Sequence, residues 1–197
     1  NATVDSCIIT NNAGGTSNRN APVAGGAYVA AKASFINCLI ANNRQTDTTS
    51  TTRSGGVHLE GGRLVNCTIA ANTSTMATNG GIYQVSGTVT NCIAWGNGGK
   101  VAGVFEQHDI KKTGGSVGYS CFSETVAGNG NVKGDPVFRK PVLGDFRLRA
   151  LSPCVHAGIA IPGLVTDIEG LARSPRRPPT MGCYRFSEPF PTRLILR

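Results

Sequence analysis

Two polar groups in this chain combine residue types suited to acid–base chemistry. His58 and Glu60 stand two residues apart, with Arg63 close behind. Residues i and i+2 of a strand share a face, so an imidazole and a carboxylate are expected side by side, with a guanidinium near. The run Glu106-Gln107-His108-Asp109 is the densest polar group and holds an acid and a base. Hydrolysis of a glycosidic bond needs two carboxylates in one cleft. The acids Asp5, Asp47, Glu60, Glu106, Asp109 and Glu124 do not recur at one position of the repeat described below, so the repeat itself builds no acidic pair. The plain reading of 106–109 is an exposed loop. No C-x-x-C pair or Cys/His cluster at zinc spacing occurs, and no metal site is expected.

Rings form a second candidate. Three segments open on a glycine pair: GGAYVA (25–30), GGVHLE (55–60) and GGIYQV (80–85). With a period of two, Ala27, Val57 and Ile82 face inward and Tyr28, His58 and Tyr83 face outward. Phe105, after Gly103-Val104, is expected to continue this outward column. A row of flat rings suits stacking on sugar rings. The competing reading is cross-strand packing that stabilises the sheet.

The elements that carry these residues follow from a repeat. Cys7, Cys38, Cys67, Cys92 and Cys121 are spaced by 31, 29, 25 and 29 residues, inside DSCIITNN, NCLIANN, NCTIAAN and NCIAWGN in the first four copies. Periods of 20–50 residues mark solenoids. The Cys segment alternates with period two, as a half-buried strand does. Asn12, Asn43, Asn72 and Asn97 follow at Cys+5; asparagine suits tight turns, and stacked copies can bond through their amides. No window has a sustained helical period. The expectation is an all-β chain: a right-handed parallel β-helix of about five coils over 1–132, with an irregular C-terminal cap and tail over 133–197. The right hand follows the general preference of parallel crossovers. The inserts at 16–24 and 44–54 should project from one side.

Composition narrows the partners. The chain of 197 residues has 26 glycines, and aromatics make up 6%, which suits stacked coils. No apolar run reaches the length of a membrane span, and no signal peptide is recognisable. No cap is visible before the first coil, so the expectation is either that upstream residues, including any export signal, have been removed, or that this end stacks on something, as in end-to-end self-association. Residues 133–197 hold eleven Lys/Arg against five Asp/Glu, including Arg173, Arg176 and Arg177 in SPRRPPT. This basic stretch reads as a solvated loop, with an acidic polysaccharide as the alternative; no nucleic-acid motif accompanies it. Cysteines locked to the repeat should stack in the core as small hydrophobes, and a serine at Cys67 would bury a hydroxyl with poor partners. Cys154 and Cys183 lie outside the repeat and are the candidates for a disulfide.

After Tyr119-Ser-Cys-Phe122 the repeat dissolves into GNGNVKGDPVF (128–138), GDFRLRALSPCVHAG (144–158), TDIEGLARSP (166–175) and MGCY (181–184). With NCIAWGN upstream, this order resembles bacterial right-handed β-helix repeat proteins with a choice-of-anchor-type C-terminal region. The resemblance spans roughly residues 60–184. It implies a pectate-lyase-like solenoid, exported and held at or released from a bacterial surface, with no settled activity. Where that pattern has acids, this chain has His156, Thr180 and Arg185, which argues against a calcium site. No cofactor is expected. Asp135, Asp145 and Asp167 read as turn caps. Three functions compete: a non-catalytic, adhesin-like or glycan-binding segment; a polysaccharide lyase or glycoside hydrolase using His58, Glu60 and Arg63 or Glu106, His108 and Asp109; and a structural assembly unit.

Overall fold

The protein is known from a computed structural model that describes residues 2–15, 23–46, 48, 53–75, 79–101 and 103–187. Asp47, residues 16–22 of the first insert, residues 49–52 of the second and the tail from 188 onward lie outside the described residues. The chain is an all-β, parallel β-solenoid of about four turns. A fifth turn contributes two further strands, and one more strand pairs beyond it in a single sheet.

Each turn contributes one short strand to each of four sheets. The first holds β1 (Thr3–Asp5), β6 (Ser34–Ile36), β11 (Arg63–Val65), β15 (Thr88–Thr90) and β20 (Ser116–Gly118). The second holds β2 (Ile8–Thr10), β7 (Leu39–Ala41), β12 (Thr68–Ala70), β16 (Ile93–Trp95), β21 (Cys121–Phe122) and β22 (Val132–Lys133). In the third are β3 (Ala13–Gly14), β8 (Arg44–Gln45), β13 (Thr73–Ser74), β17 (Gly98–Val101) and β18 (Val104–Gln107), the last pairing antiparallel with β17. The fourth is built from β5 (Ala27–Val29), β10 (Val57–Leu59), β14 (Ile82–Gln84) and β19 (Ile110–Lys112). A short pair, β4 (Val23–Ala24) with β9 (Arg53–Ser54), flanks it. The registers align equivalent residues rung on rung: Val57 with Ala27 and Ile82, Ile69 with Ile40 and Ala94.

Two corners of each turn are left-handed. The residue before the Cys rung has positive φ in every turn: Ser6, Asn37, Asn66, Asn91 and Tyr119, at 50–55°. So does the residue before each ladder asparagine: Asn11, Asn42, Ala71 and Gly96. Asn and Gly adopt this region at low cost, which explains why Asn recurs beside the cysteines. The ladder asparagines themselves turn inward.

Inside the solenoid, Val29, Phe35, Ile40, Val57, Leu59, Leu64, Ile69 and Ile82 pack with Cys38, Cys67 and Cys92. Each of these thiols donates to the carbonyl two residues back, on Ile36, Val65 and Thr90 at 3.1, 3.4 and 3.3 Å. Cys121 breaks the row. It pairs with Ile93, one step beyond the Cys rung, and faces the outside of the second sheet. Ser120 takes the fifth rung instead: its Oγ accepts the Cys92 N–H at 3.0 Å and donates to Gly118 O at 2.9 Å. Cys7, at the first turn, is exposed.

The C-terminal region lies along the flank of the solenoid. A hairpin of β23 (Phe138–Lys140) and β24 (Asp145–Leu148), joined by a single 3₁₀ turn at Pro141–Leu143, opens it. Phe138, Phe146, Leu148, Cys154, Met181 and Cys183 then cover Leu39, Ala41, Ala70, Ile93 and Cys121 on the outer face of the second sheet. Gly182 presses closest: with φ at 84°, a Cβ there would meet Thr68 Oγ1 at 2.7 Å. Arg173 ties this layer down. It is 8% exposed and donates to Asn37 Oδ1 and to the carbonyls of Thr166, Thr180, Gly182 and Cys183. Arg173 is therefore a buried clamp and no part of a solvated basic loop. Asp135, Asp145 and Asp167 each accept a main-chain N–H two residues on, from Val137, Arg147 and Glu169. All seven cysteines are free thiols. The Cys154–Cys183 bridge is not formed; Cys154 meets Cys121 instead, and Cys183 sits against Thr68.

Candidate functional site

The outward column exists on the fourth sheet, but it is mostly closed. Register places Tyr28, His58 and Tyr83 on successive rungs, with ring centroids 5.3 Å apart between Tyr28 and His58 and 5.2 Å between His58 and Tyr83. Tyr28 is 47% exposed, whereas Tyr83 is 8% and His58 1% exposed. Lys111 takes the next rung, its Nζ 5.7 Å from the Tyr83 ring centre. The column therefore ends in a cation over a ring face, a favourable contact, and offers one accessible ring. Phe105 is not its continuation. It lies on β18 opposite Lys100 and lines a cavity of about 460 Å³ with Arg44, Thr75 and Lys100.

The acid–base candidates separate. His58 Nε2 lies 2.8 Å from Glu60 Oε2, while His58 Nδ1 has no partner among the described residues. Arg63 belongs to the first sheet, where its Nε donates to Ser34 Oγ at 2.8 Å. The strand period placed the first two together, and the corner after Glu60 turned the third onto another face. Glu106 and His108 face each other at 3.7 Å, both about half exposed.

Asp109 has a structural post. It is fully buried, and its Oδ1 accepts the Asn97 N–H at 3.0 Å and Asn97 Nδ2 at 2.9 Å. These are the last bonds of a ladder. Asn12 donates in the same way to Asn43, Asn43 to Asn72 and Asn72 to Asn97, all at 2.9–3.0 Å. Each Nδ2 of Asn43, Asn72 and Asn97 also donates to the carbonyl of Ile9, Ile40 or Ile69. The second glycine of each pair makes room for this row, since a Cβ on Gly26, Gly56 or Gly81 would come within 3.0 Å of an asparagine Nδ2. Asp109 stands where the next such glycine would. Its carbonyl accepts the Ile82 N–H as that of Gly81 accepts Val57, and its side chain fills the place of a fifth asparagine. Gln107 Nε2 and the Ser123 N–H satisfy Oδ2. Burial pushes the Asp109 carboxyl above its ordinary range, against these hydrogen bonds.

A cavity that the sequence reading left unassigned has the makings of a ligand site. Trp95, at the end of β16, lines a space of about 470 Å³ with Phe138, Phe146, Asp135, Pro141 and Arg149. Phe138 and Phe146 meet edge to face at 5.3 Å, holding that wall in place. Asp135 and Arg149 bring one carboxylate and one guanidinium. The usable signal was NCIAWGN followed by two Gly-Asp segments, which place the one tryptophan against the hairpin. None of the described cavities is lined by two carboxylates. Among the described residues no group of three His, Cys, Asp or Glu could hold a metal, and no helix is long and apolar enough to cross a membrane. No protein-family model, curated protein or solved structure matches the chain.

Proposed function

We propose that this chain is a non-catalytic, glycan-binding segment of an exported bacterial surface protein, and that it holds its sugar in the Trp95 cavity. The motif order that resembles choice-of-anchor-type β-helix proteins supports the surface setting. The observation that carries the binding reading is the cavity's makeup: an indole, two phenyl rings, a carboxylate and a guanidinium on one concave wall. Aromatic faces suit the apolar faces of sugar rings, and a few polar groups fix orientation. A binding role fits the acids better than hydrolysis does. Asp109 is consumed by the ladder and Glu60 by His58, so neither is available beside a second carboxylate.

Trp95 is the single tryptophan of the chain, so its emission reports on this cavity alone. Titration with a panel of acidic and neutral oligosaccharides should shift that emission saturably for at least one sugar, with affinity of about millimolar, as expected of a few stacking contacts. Trp95→Ala should abolish retention on the corresponding polysaccharide. A Tyr28→Ala, Tyr83→Ala double variant should retain it. Loss in the double variant alone would move the site to the column. No binding by any glycan, or cleavage of one, would overturn the reading.

A further inference from the structure

We propose that a second cavity, over Asn66, is a peptide-binding site for a short extended segment with an aliphatic side chain beside a carboxylate. Asn37, Asn66 and Asn91 stand at one left-handed corner on three successive turns, with φ of 51°, 50° and 55°. The outer two hold the C-terminal layer. Asn91 accepts the Ile159 N–H at 2.8 Å and donates to the Ile159 carbonyl at 2.7 Å. Asn37 donates to Thr166 O and accepts from Arg173. Between these anchors the chain passes the Asn66 rung and turns at Pro162-Gly163, where the Leu164 N–H bonds Ile161 O. Asn66 is 1% exposed, and its Oδ1 has no partner among the described residues.

A buried amide oxygen without a donor forfeits its hydration with nothing in return and calls for an explanation. Asn66 lines a cavity of about 560 Å³, walled by Ile161, Leu164 and Val165 on one side and the 173–179 segment on the other. One water would satisfy the oxygen, but the space is of ligand size. Three observations select a peptide. First, the equivalent amides one turn away on either side both hold main-chain groups, and Asn91 holds both polar groups of a single residue, as an extended residue presents them. Second, the lining contains aliphatic and proline side chains and no aromatic ring, so a sugar has no platform there. Third, Arg176 stands at the rim and complements a carboxylate. The donors of Arg173 are already committed to the layer.

The test uses the whole chain labelled with ¹⁵N and the blocked tetrapeptide acetyl-Asp-Leu-Val-Asp-amide. The Asn66 side-chain amide signals, identified by their loss in Asn66→Gly, should shift saturably with peptide. Trp95 emission should not change, which separates this site from the glycan site. Glycine keeps the left-handed corner, and Asn66→Gly should weaken binding about tenfold, the size of one buried hydrogen bond. Arg176→Ala should weaken it less, and more so at low salt. If Asn66→Gly does not fold, Ile161→Asp in the cavity wall serves in its place and should abolish the shift. An unshifted Asn66 amide at millimolar peptide overturns the proposal. So does a shift produced by N-acetylglucosamine and not by the peptide, or cross-peaks to water alone.

Discussion

Asp109 Oδ1 takes both donors of Asn97, its main-chain N–H and its Nδ2, and so ends a chain of four asparagines on a carboxylate. Asp109→Ala leaves both donors buried without a partner and should cost about 3 kcal/mol. Asp109→Asn restores the acceptor but turns an NH₂ toward the Ser123 N–H and Gln107, and should cost about 1–2 kcal/mol. The pH dependence has a definite sign. Burial raises the folded carboxyl above its ordinary value of 3.8, so the folded state holds this proton more tightly than the unfolded chain does. The contribution is fully present below that value and is lost as pH rises through the raised one. Urea titrations at pH 4 and pH 7 should therefore show wild type gaining on Asp109→Asn at the lower pH. An unchanged gap would mean that the carboxylate is solvated.

Asn72 sits mid-ladder, accepting from Asn43 and donating to Asn97 and Ile40. Asn72→Ala should cost more than the loss of its own two bonds, because neighbours on both rungs lose partners; about 3–4 kcal/mol is expected. Equilibrium denaturation measures it. A cost below about 1 kcal/mol would show that water or a rung shift repairs the row.

Cys67→Ser should be mild, at about 1 kcal/mol. The sequence reading expected a hydroxyl with poor partners. Ser120 shows otherwise, because it occupies the fifth rung and makes the same pair of bonds that the thiols make. Thermal melts of Cys67→Ser beside Cys67→Val separate the two accounts: valine removes the donor to Val65 O and should be worse.

Thiol labelling of the folded protein should modify Cys7 and leave the six buried cysteines untouched. Burial lifts the Cys183 thiol from 9.0 to about 12 and the Tyr184 phenol from 10.0 to about 12. Each raised group contributes stability that is complete below its unfolded value and lost on the way up to pH 12. Stability should thus fall steeply from about pH 9 upward. A flat alkaline arm in denaturation would contradict the packing of this layer.

Arg173→Met keeps the stem and removes five hydrogen bonds, one to Asn37 of the solenoid and four to carbonyls of the C-terminal layer itself. Limited proteolysis should then cut first between 140 and 187, and dye binding should report the uncovered face around Leu39, Ala70 and Ile93. Equal resistance to wild type would show that the apolar contacts and the Asn37, Thr68 and Asn91 hydrogen bonds hold the layer without the clamp.

The repeat was legible because stacking forces identical residues to identical places. The Cys spacing, the glycine pairs and the asparagines at Cys+5 are each a row in space. Legibility ended where a row changes its occupant. Cys121 copies the interval of its predecessors yet stands one step off the rung, because Tyr119 rather than Ser120 makes the left-handed corner. Asp109 reads as part of an exposed loop, with a catalytic acid as the alternative, because nothing local marks it as the successor of Gly81. Phe105 looked like the next ring because the β17–β18 hairpin, which carries it away, depends on antiparallel pairing that no repeat announces. The Trp95 and Asn66 cavities both lie between the solenoid and the non-repetitive C-terminal layer, where contacts join residues far apart in sequence.

The ladder also has a direction. Every amide in it donates toward the following turn, and the final acceptor has no hydrogen to pass on. Between Asn12 and Asn97 a whole turn is thus an interchangeable module: duplicating or deleting one restores the same donors and acceptors. Beyond Asp109 the same operation leaves two acceptors facing each other. Lengthening this solenoid by gene duplication is chemically open within the asparagine row and closed after its carboxylate, which makes Asp109 the punctuation mark of the repeat.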